Sequence, residues 1–487
     1  MNTESTLDGG THGRATDAPP VLQRLEWAVA LVLLFLPLLM RLAQGLAPMG
    51  DADVWWHLAA GRWIVDHGAI PSVDPFHSLG ESREWLDYSW SADAAWWLGY
   101  RRLGMAAPLI FAALLYGLML VLCAALVRID RPSSPRRAFV AGAAYLALAP
   151  GFLPRTFLVT IVFSGIVLLF IRAVREGASV FRGVGLLPLF ALWANVHVEF
   201  VYGWFFLGLA VLDMLARDRR RAFELAGLTA FCVASTAVNP FGPRLLFRIF
   251  TWSREYGQND IIQEMLSLSF RRPEEYLLPV LLCAAVVALV QTNDRSVYRW
   301  GSLVFAAAMS FHSRRASWMI VLVALDVISA LPWLAAAPAH RGRIGILPAL
   351  ALGATVVLGL YAGTALSRRE SLVATDDFPF GAVRYAREHA LAGPMYNHYD
   401  WGGFLRFELP DIPGNIDGRG TIFSTHEVEQ SVATWRGEPG WADDPLLRKA
   451  GFVIAGIHSA LAQLLRLDTR FHVAYEDPVA VVFVPAR

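Results

Sequence analysis

The sequence predicts a polytopic α-helical membrane protein with a large first external loop and a C-terminal soluble α/β domain. Three observations predict it. Of 487 residues, 55% are hydrophobic and only 17% are charged, with a mean hydropathy of +0.44; the cores of a water-soluble chain of this size would not hide that much apolar surface. Apolar runs recur as far as residue 366, punctuated by charge or by Pro and Gly. Every second connecting segment is short and rich in arginine, the asymmetry expected of cytoplasmic loops.

Residues 1–24 are polar and read as a disordered cytoplasmic tail, too hydrophilic for the apolar core of a signal peptide. The first apolar run, 25–46, is long enough to cross a hydrocarbon layer about 30 Å thick and stays as an anchor. Further candidate spans lie near 106–127, 138–153, 155–173, 184–196, 198–216, 222–238, 276–291, 299–312, 316–335 and 344–366. The total is about 11 transmembrane helices. Several runs fall short of the ~20 residues a lone span needs. The paired runs 138–173 and 184–216 therefore read either as helical hairpins or each as one long or broken helix.

Arginines set the orientation. With a cytoplasmic N-terminus, the inside loops are 128–137 (Arg128, Arg131, Arg136, Arg137), 173–183 (Arg175, Arg182), 217–221 (Arg217, Arg219, Arg220, Arg221), 292–298 (Arg295) and 338–343 (Arg341, Arg343). The long segments 47–105 and 239–275 then lie outside, as does a domain at 367–487, facing a periplasm or its equivalent across a cell inner membrane. In the first external loop, Trp55, Trp56, Ala59, Ala60, Trp63 and Ile64 recur at helical spacing, which predicts an amphipathic helix lying on the membrane surface. Trp85 to Leu103, with Trp90, Trp96, Trp97 and Tyr100, predicts a second interfacial helix. In the C-terminal domain a helix is expected over 380–392, ending at Gly393, with strands at 452–457, 472–476 and 479–484.

Composition also excludes classes. Lys and Arg total 42 against 41 Asp and Glu, a net charge of +1, without the clustered basic excess of a nucleic-acid-binding protein. Cys123, Cys232 and Cys283 lie in apolar runs without metal-ligand spacing, so neither a disulfide framework nor a zinc site is expected.

Ionisable groups at the edges of apolar spans cost on the order of 2.5–3.5 kcal/mol each to insert, so those that persist pair, cap or work. Asp51 and Asp53 follow the first span, with His57 one helical turn after Asp53. Arg155 follows Pro154; Asn195, His197 and Glu199 sit at the turn within 184–216; His312, Arg314 and Arg315 lie between two later spans. On this topology all of them point outward. Arginines there can grip a phosphate through a planar fork, while a carboxylate takes a proton from a hydroxyl or holds a metal ion. Bland readings compete. A capping role suits one carboxylate but not both, since Asp53 stands one residue, and Asp51 three, before a helix starting near Val54. Asn195, His197 and Glu199 read equally as a polar turn, and His312, Arg314 and Arg315 as snorkelling residues, although positive charge on the outer side favours an anionic ligand. Glu264 is a solvated loop charge or an added metal ligand. Asp417-Gly418-Arg419 reads as a turn with glycine at φ > 0.

The run Gly50-Asp51-Ala52-Asp53-Val54-Trp55-Trp56-His57-Leu58-Ala59-Ala60-Gly61, continuing to Ile70-Pro71-Ser72-Val73-Asp74-Pro75-Phe76, resembles the first external loop of bacterial membrane proteins grouped with the GT-C glycosyltransferases. Trp193 to Phe200, Asn239-Pro240-Phe241-Gly242, Asn397 to Gly403 and Ile416 to Arg419 resemble other segments of those proteins. The resemblance implies a GT-C-like membrane domain that transfers a sugar from a polyprenyl-phosphate-linked donor to a glycan, lipid or protein acceptor, with inversion at the anomeric carbon. It places the functional carboxylates at Asp53, as the base, and Asp51, as support or ligand of a divalent metal such as Mg or Mn, with Glu264 a further metal ligand. It leaves His57, Arg155, Asn195, His197, Glu199, His312, Arg314 and Arg315 to bind substrate. Tyr399-Asp400-Trp401-Gly402-Gly403 differs in order from the Trp-Trp-Asp-Tyr-Gly acceptor motif of oligosaccharyltransferases, so that role does not transfer. A flippase for lipid-linked precursors and a non-catalytic scaffold with a binding domain remain the alternatives. A flippase predicts polar residues near the bilayer midplane and internal repeats, neither of which the sequence shows; the scaffold is separated from the enzyme by whether Asp51 and Asp53 face His197 and Arg314.

Overall fold

The structure, a computed structural model, describes residues 51–76, 82–128, 135–148, 153–255, 264–331, 346–368 and 377–486, with Ile262, Leu334 and single positions within 28–43. The expected tail 1–24, the loop 338–343 and much of the first span lie outside the described residues. Helices dominate: α1 (Ala52–His67), α2 (Trp90–Leu103), α3 (Ala106–Leu126), α4 (Pro135–Ala147), α5 (Leu158–Arg175), α6 (Leu186–Trp193), α7 (Val201–Leu215), α8 (Arg219–Ser235), α9 (Pro243–Glu255), α10 (Leu277–Gln291), α11 (Val297–His312), α12 (Trp318–Ile328) and α13 (Ile346–Ser367).

Among the described residues four helical segments are long and apolar enough to cross a membrane: Ala106–Leu126, Leu158–Arg175, Val198–Leu215 and Pro273–Gln291. About 11 spans were expected. The run 184–216 breaks into α6 and α7 at a turn where His197 is extended. The run 138–173 likewise divides into α4 and α5. Helix α12 is only 11 residues long, yet every one of them is buried, so neighbouring helices rather than lipid enclose it.

Residues 51–67 depart from the expected surface helix. Helix α1 is buried on nearly all sides, packed between α2 and the C-terminal residues. Gly61 lets α2 approach so closely that a Cβ there would lie 2.0 Å from the carbonyl oxygen of Asp93. Trp55 packs its ring against Phe378, Phe380, Phe404 and Phe407. The spacing of apolar residues marked a buried face correctly, but it carried no information on whether lipid or protein covers that face.

Residues 377–485 form an α/β unit. Helix α14 (Phe380–Glu388) precedes β1 (Met395–Asn397), α15 (Tyr399–Glu408) and α16 (Thr425–Arg436); β2 (Phe452–Gly456), α17 (Ala460–Leu467), β3 (Phe471–Glu476) and β4 (Ala480–Pro485) follow. The sheet order is β1-β2-β4-β3, with β1 parallel to β2 and the other pairs antiparallel. The three longer strands lie where expected; β1, three residues long, is too short to show a period. Ser424 and Glu427 cap α16 reciprocally.

A buried ion-pair chain fastens this unit to the first loop. Arg419 reaches Asp417 and Asp74 at 2.7 Å each, and its guanidinium lies over the rings of Phe76 and Trp85, 4.9 and 4.7 Å from their centroids. Arg406 donates to Asp417 at 3.2 Å and to the Gly414 carbonyl at 2.9 Å. At the rim Arg83 pairs with Glu427 at 2.6 Å and Arg62 donates to the Phe407 carbonyl at 2.7 Å. Asp417-Gly418-Arg419 is thus a docking element rather than a positive-φ turn, and Gly418 is not among the left-handed glycines.

Candidate active site beside the first loop helix

Helix α1 starts at Ala52, two residues earlier than its expected start, so Asp51 is the N-cap and Asp53 lies in the first turn. Asp51 Oδ1 accepts the backbone N–H of Asp53 at 3.2 Å. Both carboxylates then meet Arg155, which the turn before α5 delivers. Its Nε donates to Asp51 Oδ2 at 3.0 Å, and its Nη2 lies 3.2 Å from Asp51 Oδ1 and 3.4 Å from Asp53 Oδ2. Capping and ion pairing are therefore both true of Asp51.

Glu264 joins two guanidinium groups. One carboxylate oxygen accepts from Arg155 and the other from Arg315 Nη1 at 3.1 Å. Arg315, just before α12, also contacts Glu199 at 3.5 Å and donates to His197 Nε2 at 3.1 Å. A guanidinium has donors only, so Nε2 carries the lone pair and the His197 imidazole is neutral. Its Nδ1–H is then free to donate to Thr160 Oγ1, 3.1 Å away, which also accepts from Trp193 Nε1 at 3.0 Å. Burial and the Arg315 charge both push the His197 pKa down.

Exposure separates the two aspartates. The Asp51 side chain is 2% exposed and that of Asp53 28%, so only Asp53 can meet an incoming group. Burial raises the Asp53 carboxyl above its ordinary value; Arg155 opposes this, while Asp51 and Glu264 reinforce it. For Glu264 burial is outweighed by Arg315 and Arg155, which hold it low. Asp53 is thus a part-open carboxylate whose affinity for a proton is raised by burial.

The C-terminal unit closes the site on one side. A Cβ on Gly418 would lie 2.6 Å from Asp53 Oδ1, and Trp56 Nε1 donates to the same oxygen at 3.3 Å. Tyr399, at the start of α15, has its phenol pKa raised by burial and then by the Asp53 charge.

Behind Asp53, the expected site residue His57 meets buried carboxylates that sequence reasoning missed, Asp93 and Asp87. His57 Nδ1 is 2.5 Å from Asp93 Oδ1, and Ser89 Oγ lies 3.1 Å from Asp87 Oδ1 and 3.2 Å from Asp93 Oδ2. Burial raises both carboxyls, Asp87 further because of Asp93. Burial lowers His57 to about 4, against the Asp53 charge. The available signal was an acidic residue on the buried stripe of α2, since Asp93 shares that face with Trp96.

Other expected residues lie elsewhere. Asn195 ties loops together: it accepts from Trp90 Nε1 at 2.8 Å and donates to the Ala191 and Val238 carbonyls, each at 2.7 Å. Arg314 pairs with buried Glu275 at 3.1 Å, bracing the start of α10. His312 ends α11 in an exposed position. Among the described residues no three acidic, His or Cys side chains converge to hold an ion. Asp51 and Glu264 face Arg155 rather than each other, and a guanidinium between carboxylates does not fit a metal site.

No protein-family model and no curated protein matches the chain. Among solved structures, the oligosaccharyltransferase of Archaeoglobus fulgidus in its apo form aligns over 90% of this chain and 70% of its own, at 11% identity and a TM-score of 0.51. ArnT from Cupriavidus metallidurans aligns in its apo state over 95% of this chain and 97% of its own, at 17% identity and a TM-score of 0.45. ArnT bound to undecaprenyl phosphate aligns over 96% and 98%, at 15% identity and a TM-score of 0.39. The first likeness shows the fold: this chain shares that of the archaeal oligosaccharyltransferase.

Proposed function

We propose that this protein is a membrane glycosyltransferase. It moves a sugar from a polyprenyl-phosphate-linked donor to an acceptor at the extracytoplasmic face, where residues 367–487 lie. The observation that carries the reading is the part-open Asp53 carboxylate beside Arg155, which with Arg315 embraces Glu264. The bridging carboxylate occupies the place where the donor's phosphate would lie, since two forked guanidinium groups suit phosphate oxygens.

In this reading the acceptor hydroxyl hydrogen-bonds to Asp53. Its oxygen forms the new bond to the anomeric carbon as the bond from that carbon to the phosphate oxygen breaks. The proton passes to Asp53, and the carrier phosphate keeps the electron pair, held by Arg155 and Arg315. Asp51 positions Arg155 and the helix start. The fold shared with an oligosaccharyltransferase agrees with such a transfer. The hydroxyl acceptor and the inversion rest on the sequence resemblance.

The test pairs Asp53→Asn and Asp51→Asn in a strain whose surface glycan depends on this protein. Loss of the glycan at wild-type protein level supports the proposal, and an unchanged glycan in both variants defeats it. Purified protein in vesicles containing lipid-linked sugar separates the alternatives. Translocation without a glycosidic product marks a flippase, and neither product nor translocation marks a scaffold.

A further inference from the structure

A second charged chamber lies at the opposite end of the same helices. Arg172 and Arg175 from the last turn of α5, Arg217 just beyond α7, and Arg299 from the start of α11 line a cavity of about 200 Å³, together with Glu176 and Asp294. Asp213 and Asp326 sit behind it, almost fully buried. The ion pairs are Arg175 with Asp213 at 3.4 Å, Arg217 with Asp213 at 3.2 Å, Arg172 with Asp326 at 3.4 Å, Arg299 with Asp294 at 2.6 Å, and Arg128 with Glu176. Among the described residues five guanidinium groups thus face four carboxylates, which leaves one positive charge in excess.

The donors are also in excess. A guanidinium carries five N–H donors, yet among the described residues Arg175 donates one hydrogen bond, to Ser296 Oγ at 2.8 Å, and Arg299 one, to Asp294 at 2.6 Å. The buried Nε of Arg299 has no hydrogen-bond partner among the described residues, and that of Arg175, whose side chain is 10% exposed, has only the longer 3.4 Å contact with Asp213 Oδ2. Burying such donors is costly unless an acceptor reaches them. Arg172 is different: its Nη atoms donate to the Leu126 and Ala125 carbonyls at 2.6 and 2.7 Å and so cap α3. Bracing explains Arg172 and leaves Arg175 and Arg299 underused.

Apolar surface flanks the chamber at the same level. Leu212 and Leu215 of α7, Val290 of α10 and Val297 of α11 are exposed, each within a few residues of a charged member of the cluster. We propose that this chamber binds the phosphodiester headgroup of an anionic membrane phospholipid, with the acyl chains lying along those exposed side chains. A phosphodiester carries a single negative charge, which matches the excess of one, and its oxygens accept from the spare guanidinium donors. A dianionic phosphate monoester would overshoot the balance. Basic pockets among helix ends on the arginine-rich side of a membrane protein suit such headgroups.

The experiment uses the purified full chain in a neutral detergent, titrated with phosphatidylglycerol, phosphatidylcholine or inorganic phosphate while the melting temperature is followed. Phosphatidylglycerol should raise the melting temperature saturably, and neither of the others should at matched concentration. Arg299→Gln and Arg217→Gln should each shift the half-saturating lipid concentration upward about tenfold, the loss of one charge-assisted hydrogen bond. Equal stabilisation by phosphatidylcholine, full stabilisation by inorganic phosphate alone, or an unshifted titration in both variants would overturn the proposal. The lipid comparison on the wild-type chain decides the matter even where a variant does not fold.

Discussion

Two acid–arginine–acid arrangements join residues 51–76 to their surroundings, and they differ in burial rather than in chemistry. Arg419 lies between Asp417 and Asp74, all almost wholly buried and roofed by Phe76 and Trp85. Arg155 lies between Asp51, Asp53 and Glu264, where Asp53 and Glu264 keep about a third of their side chains open. The first arrangement has no surface from which a substrate could displace a partner, so it serves as a rivet. The second exposes the oxygens and the guanidinium that a hydroxyl and a phosphate need. Identical residue types become structure or site according to whether anything can reach them.

Removing the buried cation should have the largest effect on stability. Arg419→Ala leaves Asp74 buried without its arginine and Asp417 with Arg406 alone, a loss of about 3–5 kcal/mol. The expected result is a lower melting temperature and protease-sensitive release of residues 377–485. A variant that melts as the wild type does would show that the aromatic contacts of Trp55 alone hold the unit in place.

Asp53→Asn should do the converse. Transfer should fall by about 10²–10⁴-fold, as on removing a general base, while the melting temperature stays within what a surface change allows, about 0.5 kcal/mol. Substantial residual transfer at wild-type stability would move the base elsewhere. Smaller again is Gly418→Ala. Its new methyl carbon would stand 2.6 Å from Asp53 Oδ1, forcing the carboxylate aside, and a displacement of that kind costs transfer about ten- to a hundredfold. Full activity would mean that the C-terminal unit only rests against the site.

The sequence carried the outline of both arrangements unequally. Asp51, Asp53 and Arg155 were legible because charge at the edge of an apolar run is costly and so has a reason. The partnership of Arg419 with Asp74 was not, since the two stand 345 positions apart and nothing local marks either as buried. Arg314 and Arg315 are neighbours with equal claims by type. Backbone geometry at the turn before α12 sends one toward Glu275 and the other toward Glu264, a divergence that no spacing argument resolves. The α/β unit was readable where strands had five or six residues and invisible at β1. Hydropathy alone does not tell a helix buried in protein, as α12 is, from one facing lipid.

Glu264→Gln gives the smallest expected effect and the sharpest division between the two arrangements. In a rivet, neutralising one acid weakens the whole; in a site, it removes a competitor. The glutamine keeps the shape but gives up the charge that holds Arg155 and Arg315 together, so donor phosphate should bind more tightly and the donor KM should fall by about three- to tenfold. The same change acts on Asp53, whose carboxyl Glu264 helps to raise. Because Asp53 works as a base only when ionised, activity is lost as pH falls through its raised pKa. With Glu264 neutral that pKa drops, and the acid limb of the pH–rate profile should move to lower pH. A rise in donor KM with an unmoved acid limb would place Glu264 beside Asp51, as a residue that holds the guanidinium in position and yields nothing to substrate.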